Sequence, residues 1–276
     1  MLARCGLRNT AVRVGSKNFT ESFVIAEIYA QALERAGLRV ERLFNLGSTQ
    51  IAIAAMRRGD IDLYPEYTGT ALIDVLHLPP MQDPRALYAT VAREFARRYD
   101  LRWLQPSPMN DSQGLATTAA VAARERIATL SQLAPLASGL RLATIQEFLS
   151  RPDGLPGLQR VYGGFKFREV RTYDIALKYE ALISGRADVA SAFTTDGAIA
   201  THNLVVLRDD RRLWPPYNVA PVVRNATLAR LPRIAAVLDA ISPKITDRAA
   251  QRMNAEVESA HRDPADVAAE FLGQGR

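Results

Sequence analysis

One cysteine, two tryptophans and three histidines in 276 residues leave little for several kinds of chemistry. With Cys5 alone, neither an internal disulfide nor a multi-cysteine metal centre can form. His77, His202 and His261 lie in unrelated segments, none with a Cys, His or Glu at metal-ligand spacing. There is no G-x-S-x-G, no P-loop and no G-x-G-x-x-G, and Gly163-Gly164 reads as a turn rather than a phosphate cradle. No catalytic constellation remains, and neither an enzyme nor a cofactor is expected. No run of 18 apolar residues offers a membrane span. The formal charge is +6, but Arg is scattered with no basic block, which argues against a nucleic-acid partner.

What is present is an ordinary globular composition, 48% hydrophobic and 23% charged, with length for one large domain or two of usual size. One segment occurs twice. A shift of 126 positions lays Ala55 on Ala181, Gly59 on Gly185, Asp62 on Asp188, Tyr67 on Phe193 and Thr68 on Thr194. Such an echo predicts two similar lobes, each presenting a strand-end aromatic.

The hydrophobic pattern fits this. Strands are expected at 11–16, 39–43 and 61–64, the last broken by Pro65. Helices are expected over 21–36, capped by Thr20, and from Gly47-Ser48-Thr49 to Met56, stopped by Gly59. This β-α-β-α-β order implies a parallel sheet covered by helices, with ligands at the carboxyl ends of its strands. A helix over 84–99 and a strand over 101–104 follow, then the Pro-rich loop 105–111, a candidate crossing into a second lobe. There, strands are expected at 114–123, 140–144, 168–171 and 187–193, with helices at 129–136 and 174–184. Trp214-Pro215-Pro216-Tyr217 is a candidate crossing back, and 225–273 reads as helices capped by Thr227, Thr246 and Asp263. The expected division is lobe one at 11–108 and 215–276, and lobe two at 109–214, joined by a two-strand hinge.

Tyr64, Tyr67, Phe193, Trp214 and Tyr217 gather at these strand ends and crossings, where an aromatic is less easily explained as core. Ring faces attract a quaternary ammonium, which cannot donate a hydrogen bond, at roughly 0.5–2 kcal/mol per ring.

The segments Ser16-Lys17-Asn18-Phe19-Thr20-Glu21, Leu46-Gly47-Ser48-Thr49, Tyr64-Pro65-Glu66-Tyr67-Thr68-Gly69-Thr70 and Thr194-Thr195-Asp196-Gly197 resemble the OpuAC-like substrate-binding proteins of osmoprotectant ABC importers, over residues 11 to 273. The resemblance implies an α/β type II periplasmic-binding fold that closes on its ligand. It implies capture of glycine betaine, choline, carnitine or a related betaine, and delivery to ABC permease subunits by a monomer. By the same resemblance Tyr67, Phe193 and Tyr217 are cage walls; Lys17, Thr70 and Arg151 hold a ligand carboxylate; Asp111 faces the cation or fixes the cage; Asn18, Gln113 and Thr194 complete the site. Surface charge for Lys17 and Arg151, and a helix cap for Thr70, are the structural alternatives.

Two departures from the family pattern bear on the ligand. Gln113 stands where relatives often carry an aromatic, and Phe193 where some carry Tyr. The cage thus has one ring fewer, while Gln113 adds a donor and an acceptor, which suits a ligand with polar groups near its cation. Other betaines, ergothioneine among them, are alternatives, as is a ligand-sensing domain reporting to a partner. The implied location is periplasmic or lipid-anchored. Leu2-Ala3-Arg4-Cys5-Gly6 looks like the tail of a lipoprotein cleavage site, although Arg4 is bulkier than the small residue usual there.

Overall fold

A short alternating strand opens the fold: β1 (Val12–Gly15) buries Val12 and Val14 against the helix Thr20–Arg35. That helix turns Ile25, Ile28, Tyr29, Ala32 and Leu33 inward, the face its spacing predicts. Each fully buried aliphatic side chain there contributes roughly 1.5–3 kcal/mol. This computed structural model describes residues 11–175 and 177–274, so Cys5 and its surroundings lie outside the described residues.

The remaining strands are β2 (Val40–Leu43), β3 (Leu63–Tyr67), β4 (Leu101–Trp103), β5 (Gln113–Thr117), β6 (Arg141–Thr144), β7 (Glu169–Thr172), β8 (Val189–Phe193), β9 (Val205–Val206) and β10 (Val219–Arg224). They form two five-stranded sheets, in the orders β2-β1-β3-β10-β4 and β7-β6-β8-β5-β9. In the first, β1 runs parallel to β2 and β3, while β10 is antiparallel to β3 and β4. In the second, β6 runs parallel to β7 and β8, while β5 is antiparallel to β8 and β9. The inserted antiparallel strand in each sheet is the one that follows a crossing from the other sheet. The two crossing segments meet in an antiparallel bridge between Asn110 and Asn218. Asp111 N–H donates to Tyr217 O, and Tyr217 N–H to Asn110 Oδ1, at 3.2 and 2.7 Å.

The sequence echo has a structural counterpart. Gly59 and Gly185 both end a helix with positive φ, 78° and 71°, a conformation a Cβ would strain. The aspartates that follow are used alike. Asp62 accepts from the main-chain N–H and guanidinium of Arg13 on β1; Asp188 accepts the same set from Arg141 on β6. Burial opposes ionisation of Asp62, but the Arg13 bonds hold its carboxyl below the usual range; the Arg141 bonds do the same for Asp188. Each pair clamps the start of a strand, β3 or β8, that ends in the cleft.

Several expectations need correction. Pro65 does not break its strand. It sits inside β3 opposite Pro221 of β10, three pairs from Thr68–Asn218, where Thr68 N–H donates to Asn218 O, so alternation makes the proline pair a non-bonded one of this ladder. The β3–β10 ladder therefore asks neither proline for an N–H, and on the β4 side, where Leu104 N–H donates to Pro221 O, the Leu104 carbonyl accepts from the Tyr88 hydroxyl instead. The same Pro221 disguised β10, the central antiparallel strand, which the sequence reading did not identify. The stretch 114–123 is only half strand: β5 ends at Thr117, and Thr118 caps the helix Ala119–Glu125 by accepting from Val121 N–H. The helix Leu155–Tyr162 was also unforeseen, and the helix expected at 174–184 is confined to Lys178–Ile183. Thr20 is the first helical residue rather than a cap, and Thr227 spends its hydroxyl on Asp62. Thr246 and Asp263 do cap their helices. The helix Asp247–Glu258, which Thr246 caps, touches both halves of the molecule. Its Asn254 Nδ2 donates to Glu21 Oε2 at 2.9 Å and to Thr195 O at 2.8 Å.

Candidate functional site

Between the sheets, at the carboxyl ends of β1, β3, β6 and β8, lies a cleft of about 510 Å³ including its solvent-open part. The first half contributes Lys17, Asn18, Phe19, Tyr67 and Thr70; the second contributes Glu147, Arg151 and Phe193; the crossings contribute Asp111, Gln113 and Tyr217. Phe19 bridges the two strand-end rings, its centroid 6.1 Å from Tyr67 and 6.5 Å from Phe193, nearly parallel to the latter.

Each strand-end ring is held by a carboxylate with the same three donors. Under Tyr67, Glu66 accepts from Lys17 Nζ at 2.8 Å, from Tyr64 Oη at 2.8 Å and from Tyr67 N–H at 2.7 Å. Under Phe193, Asp196 accepts from Lys178 Nζ at 3.1 Å, from Tyr179 Oη and from Phe193 N–H at 3.0 Å. The ammonium groups also sit over the rings, Lys17 Nζ 4.7 Å from the Tyr67 centroid and Lys178 Nζ 4.9 Å from that of Phe193. Tyr64 is therefore core, fully buried with its hydroxyl on Glu66.

A second hub fixes the crossing side. Asp153 accepts two bonds from the Arg151 guanidinium at 2.8 and 2.7 Å, one from Gln113 Nε2 at 2.8 Å and one from Tyr217 Oη. Burial opposes its ionisation, yet the Arg151 pair keeps its carboxyl below the ordinary range. The Trp214 indole N–H donates to the Asp153 carbonyl, so Trp214 supports the hub from behind. Arg151 also reaches Asp74 of the first half, with Nη1 3.8 Å from Oδ2. The Tyr217 ring packs so closely on Gly69 that a Cβ there would come within 2.6 Å of it, which accounts for the glycine in Tyr67-Thr68-Gly69-Thr70.

The floor of the cleft is acidic. Tyr67 Oη donates to Glu21 Oε1 at 2.7 Å, and Asp111 Oδ1 accepts from Thr195 Oγ1 at 2.6 Å. Burial, then the neighbouring Glu21 and Asp196 charges, push the Asp111 carboxyl well above its usual range. Burial raises Glu21 as well, and burial with Asp196 nearby pushes Glu258 up to about 7.

Nine of the ten residues singled out from the sequence line the cleft; Thr194 does not. Its hydroxyl accepts from Ser112 N–H and donates to Asn110 O, pinning a crossing. Lys17 and Arg151 are not exposed surface charges, and neither is free: each is paired to a carboxylate of this chain. Thr70 makes no capping bond. Gln113 spends an N–H on Asp153 and keeps Oε1 without a partner among the described residues. Phe19, Glu66 and Asp153 were missed. Phe19 lies in the segment after β1 where a ligand was expected, and Asp153 follows Arg151 by two residues in a stretch read only as a turn.

Two α/β halves with matching strand order, closing a cleft at their strand ends, define a type II periplasmic binding protein. The family model for the substrate-binding domain of the ABC-type glycine betaine transport system, OpuAC, matches residues 10–274. The chain belongs to this family, a non-enzymatic component of ABC transporters. It is 35% identical to the glycine-betaine-binding protein of Pseudomonas aeruginosa over 271 residues, 95% of this chain and 86% of that one. It is 30% identical over 273 residues to the ergothioneine transport permease/ergothioneine binding protein EgtU of Helicobacter pylori, 99% of this chain and 49% of that one. The crystal structure of a glycine betaine/carnitine/choline ABC transporter superposes with a TM-score of 0.79 at 30% identity, covering 95% of this chain and 98% of the other. Among the described residues no helix is long and apolar enough to cross a membrane.

Proposed function

We propose that the chain captures a small quaternary-ammonium compound outside the inner membrane and delivers it, as a monomer, to ABC permease subunits. The observation that carries this reading is the convergence of the Phe19, Tyr67, Phe193 and Tyr217 rings on one cleft that also holds the Asp111 carboxylate. Ring faces and a carboxylate are the means of recognising a cation that has no N–H to donate. Lobes at 11–108 with 215–276, and at 109–214, swing about the crossings joined at Asn110 and Asn218. The ligand favours the closed state because it touches both lobes at once. The Arg151–Asp74 pair also spans them in that state. Cys5, outside the described residues, is a candidate lipid attachment point.

A thermal-shift screen over glycine betaine, choline, carnitine, ergothioneine and plain amino acids tests the reading. A ligand at 100 times its dissociation constant adds about 2.7 kcal/mol of stability. A rise in melting temperature with at least one trimethylammonium compound, and none with plain amino acids, is the expected outcome. A response to amino acids alone refutes it.

A further inference from the structure

Two cationic side chains line the cleft, and each already has its own carboxylate. Lys17 Nζ lies 2.8 Å from Glu66 Oε1, with both side chains buried. Arg151 meets Asp153 through two bonds. Two carboxylates also line the cleft, Asp111 and Glu147, and among the described residues neither is in an ion pair. The lining therefore holds two carboxyl groups outside any ion pair and no cation outside one.

We infer that the cleft selects a ligand of net positive charge, a quaternary ammonium bearing a hydroxyl rather than a carboxylate. This rests on the function proposed above and narrows it. A zwitterion's carboxylate that approaches Lys17 or Arg151 finds Glu66 or Asp153 already on that cation, and two carboxylates sharing one buried positive charge repel each other. A hydroxyl meets no such competition. Gln113 has one N–H turned to Asp153 and its Oε1 without a partner among the described residues, so it offers an acceptor to a ligand hydroxyl. The crowding that raises the Asp111 carboxyl, burial with Glu21 and Asp196 nearby, is relieved by an incoming cation and aggravated by an incoming anion.

Choline and glycine betaine share the trimethylammonium head and differ at the hydroxyl or carboxylate end. Calorimetric titration of the full chain with each is expected to give choline at least tenfold tighter binding. Equal or tighter glycine betaine binding overturns the inference and leaves the proposed function standing. No response to either, or to any other trimethylammonium compound, overturns both. Asp153→Asn releases the Arg151 guanidinium, so the choline to betaine ratio is expected to move at least tenfold toward betaine. An unchanged ratio in a folded variant also overturns the inference. If that variant does not fold, the wild-type comparison decides alone.

Discussion

The two halves of the cleft hold their aromatic walls by the same chemistry drawn from different positions. Glu66 precedes its ring by one residue and Asp196 follows its ring by three, yet each collects a lysine ammonium, a tyrosine hydroxyl and the ring residue's own N–H. The 126-residue echo, which aligns the rings and the strand-starting aspartates, places Glu66 on Ala192 and Lys17 on Ala143. The strands repeat and the anchors do not. A strand-end ring that is to meet a cation must be held rigidly, and a buried carboxylate bonded to its backbone N–H does this wherever the chain can supply one. The halves also differ at the ring edge. Tyr67 donates its hydroxyl to Glu21, while Phe193 has no hydroxyl and leaves that side of the cleft with π faces alone.

Removing the lysines breaks the comparison most severely. Lys17→Met leaves Glu66 buried without its counter-ion, and stability is expected to fall by about 3–5 kcal/mol in chemical denaturation. Lys178→Met should cost less, because Asp196 keeps partial solvent access. A larger loss for Lys178→Met would mean that the anchors are not equivalent. Next come the walls. Tyr67→Ala removes a ring and strips Glu21 of a donor, so affinity is expected to drop by about 2 kcal/mol, against about 1 kcal/mol for Phe193→Ala. Titrations giving equal losses would assign the Tyr67 hydroxyl no part in binding.

A smaller effect is expected from pH. The Asp111 carboxyl, raised by burial with Glu21 and Asp196 nearby, is stabilised in its ionised form by a bound cation and so releases protons on binding. Glu258, at about 7, lies in the same acidic group with Asp196 and Lys178. Affinity should accordingly fall as pH is lowered from 8 to 5, by roughly threefold or more, with proton release detectable in buffers of different ionisation enthalpy. A flat profile would separate Asp111 from the cation. Smallest of all, Phe193→Tyr restores the hydroxyl that lobe one has, with an affinity change within about threefold.

Much of this was legible in the chain because periodicity and punctuation are local. The strands at 12–15, 40–43 and 141–144, the glycine stop at Gly59 and the helix at 84–99 follow from spacing. Nine of the ten candidate residues chosen through a short stretch and its relatives line the cleft. What stayed hidden depends on distant partners. Pro221 discourages a strand reading until Pro65 is seen opposite it. Thr194 looks like a ligand contact until its hydroxyl is found on the far crossing. Nothing near Lys17 in sequence reveals that Glu66, 49 residues away, has already claimed its charge.

Asn254 ties Glu21 on one side to Thr195 on the other through a single amide nitrogen. Any swing that parts those two residues must sever one of the bonds, adding about 1 kcal/mol to the barrier. The carboxamide lies outside the cleft lining, so changing it alters how long a captured molecule dwells more than which molecule enters. Residence time and selectivity are thus set by different side chains, and each can be tuned without the other.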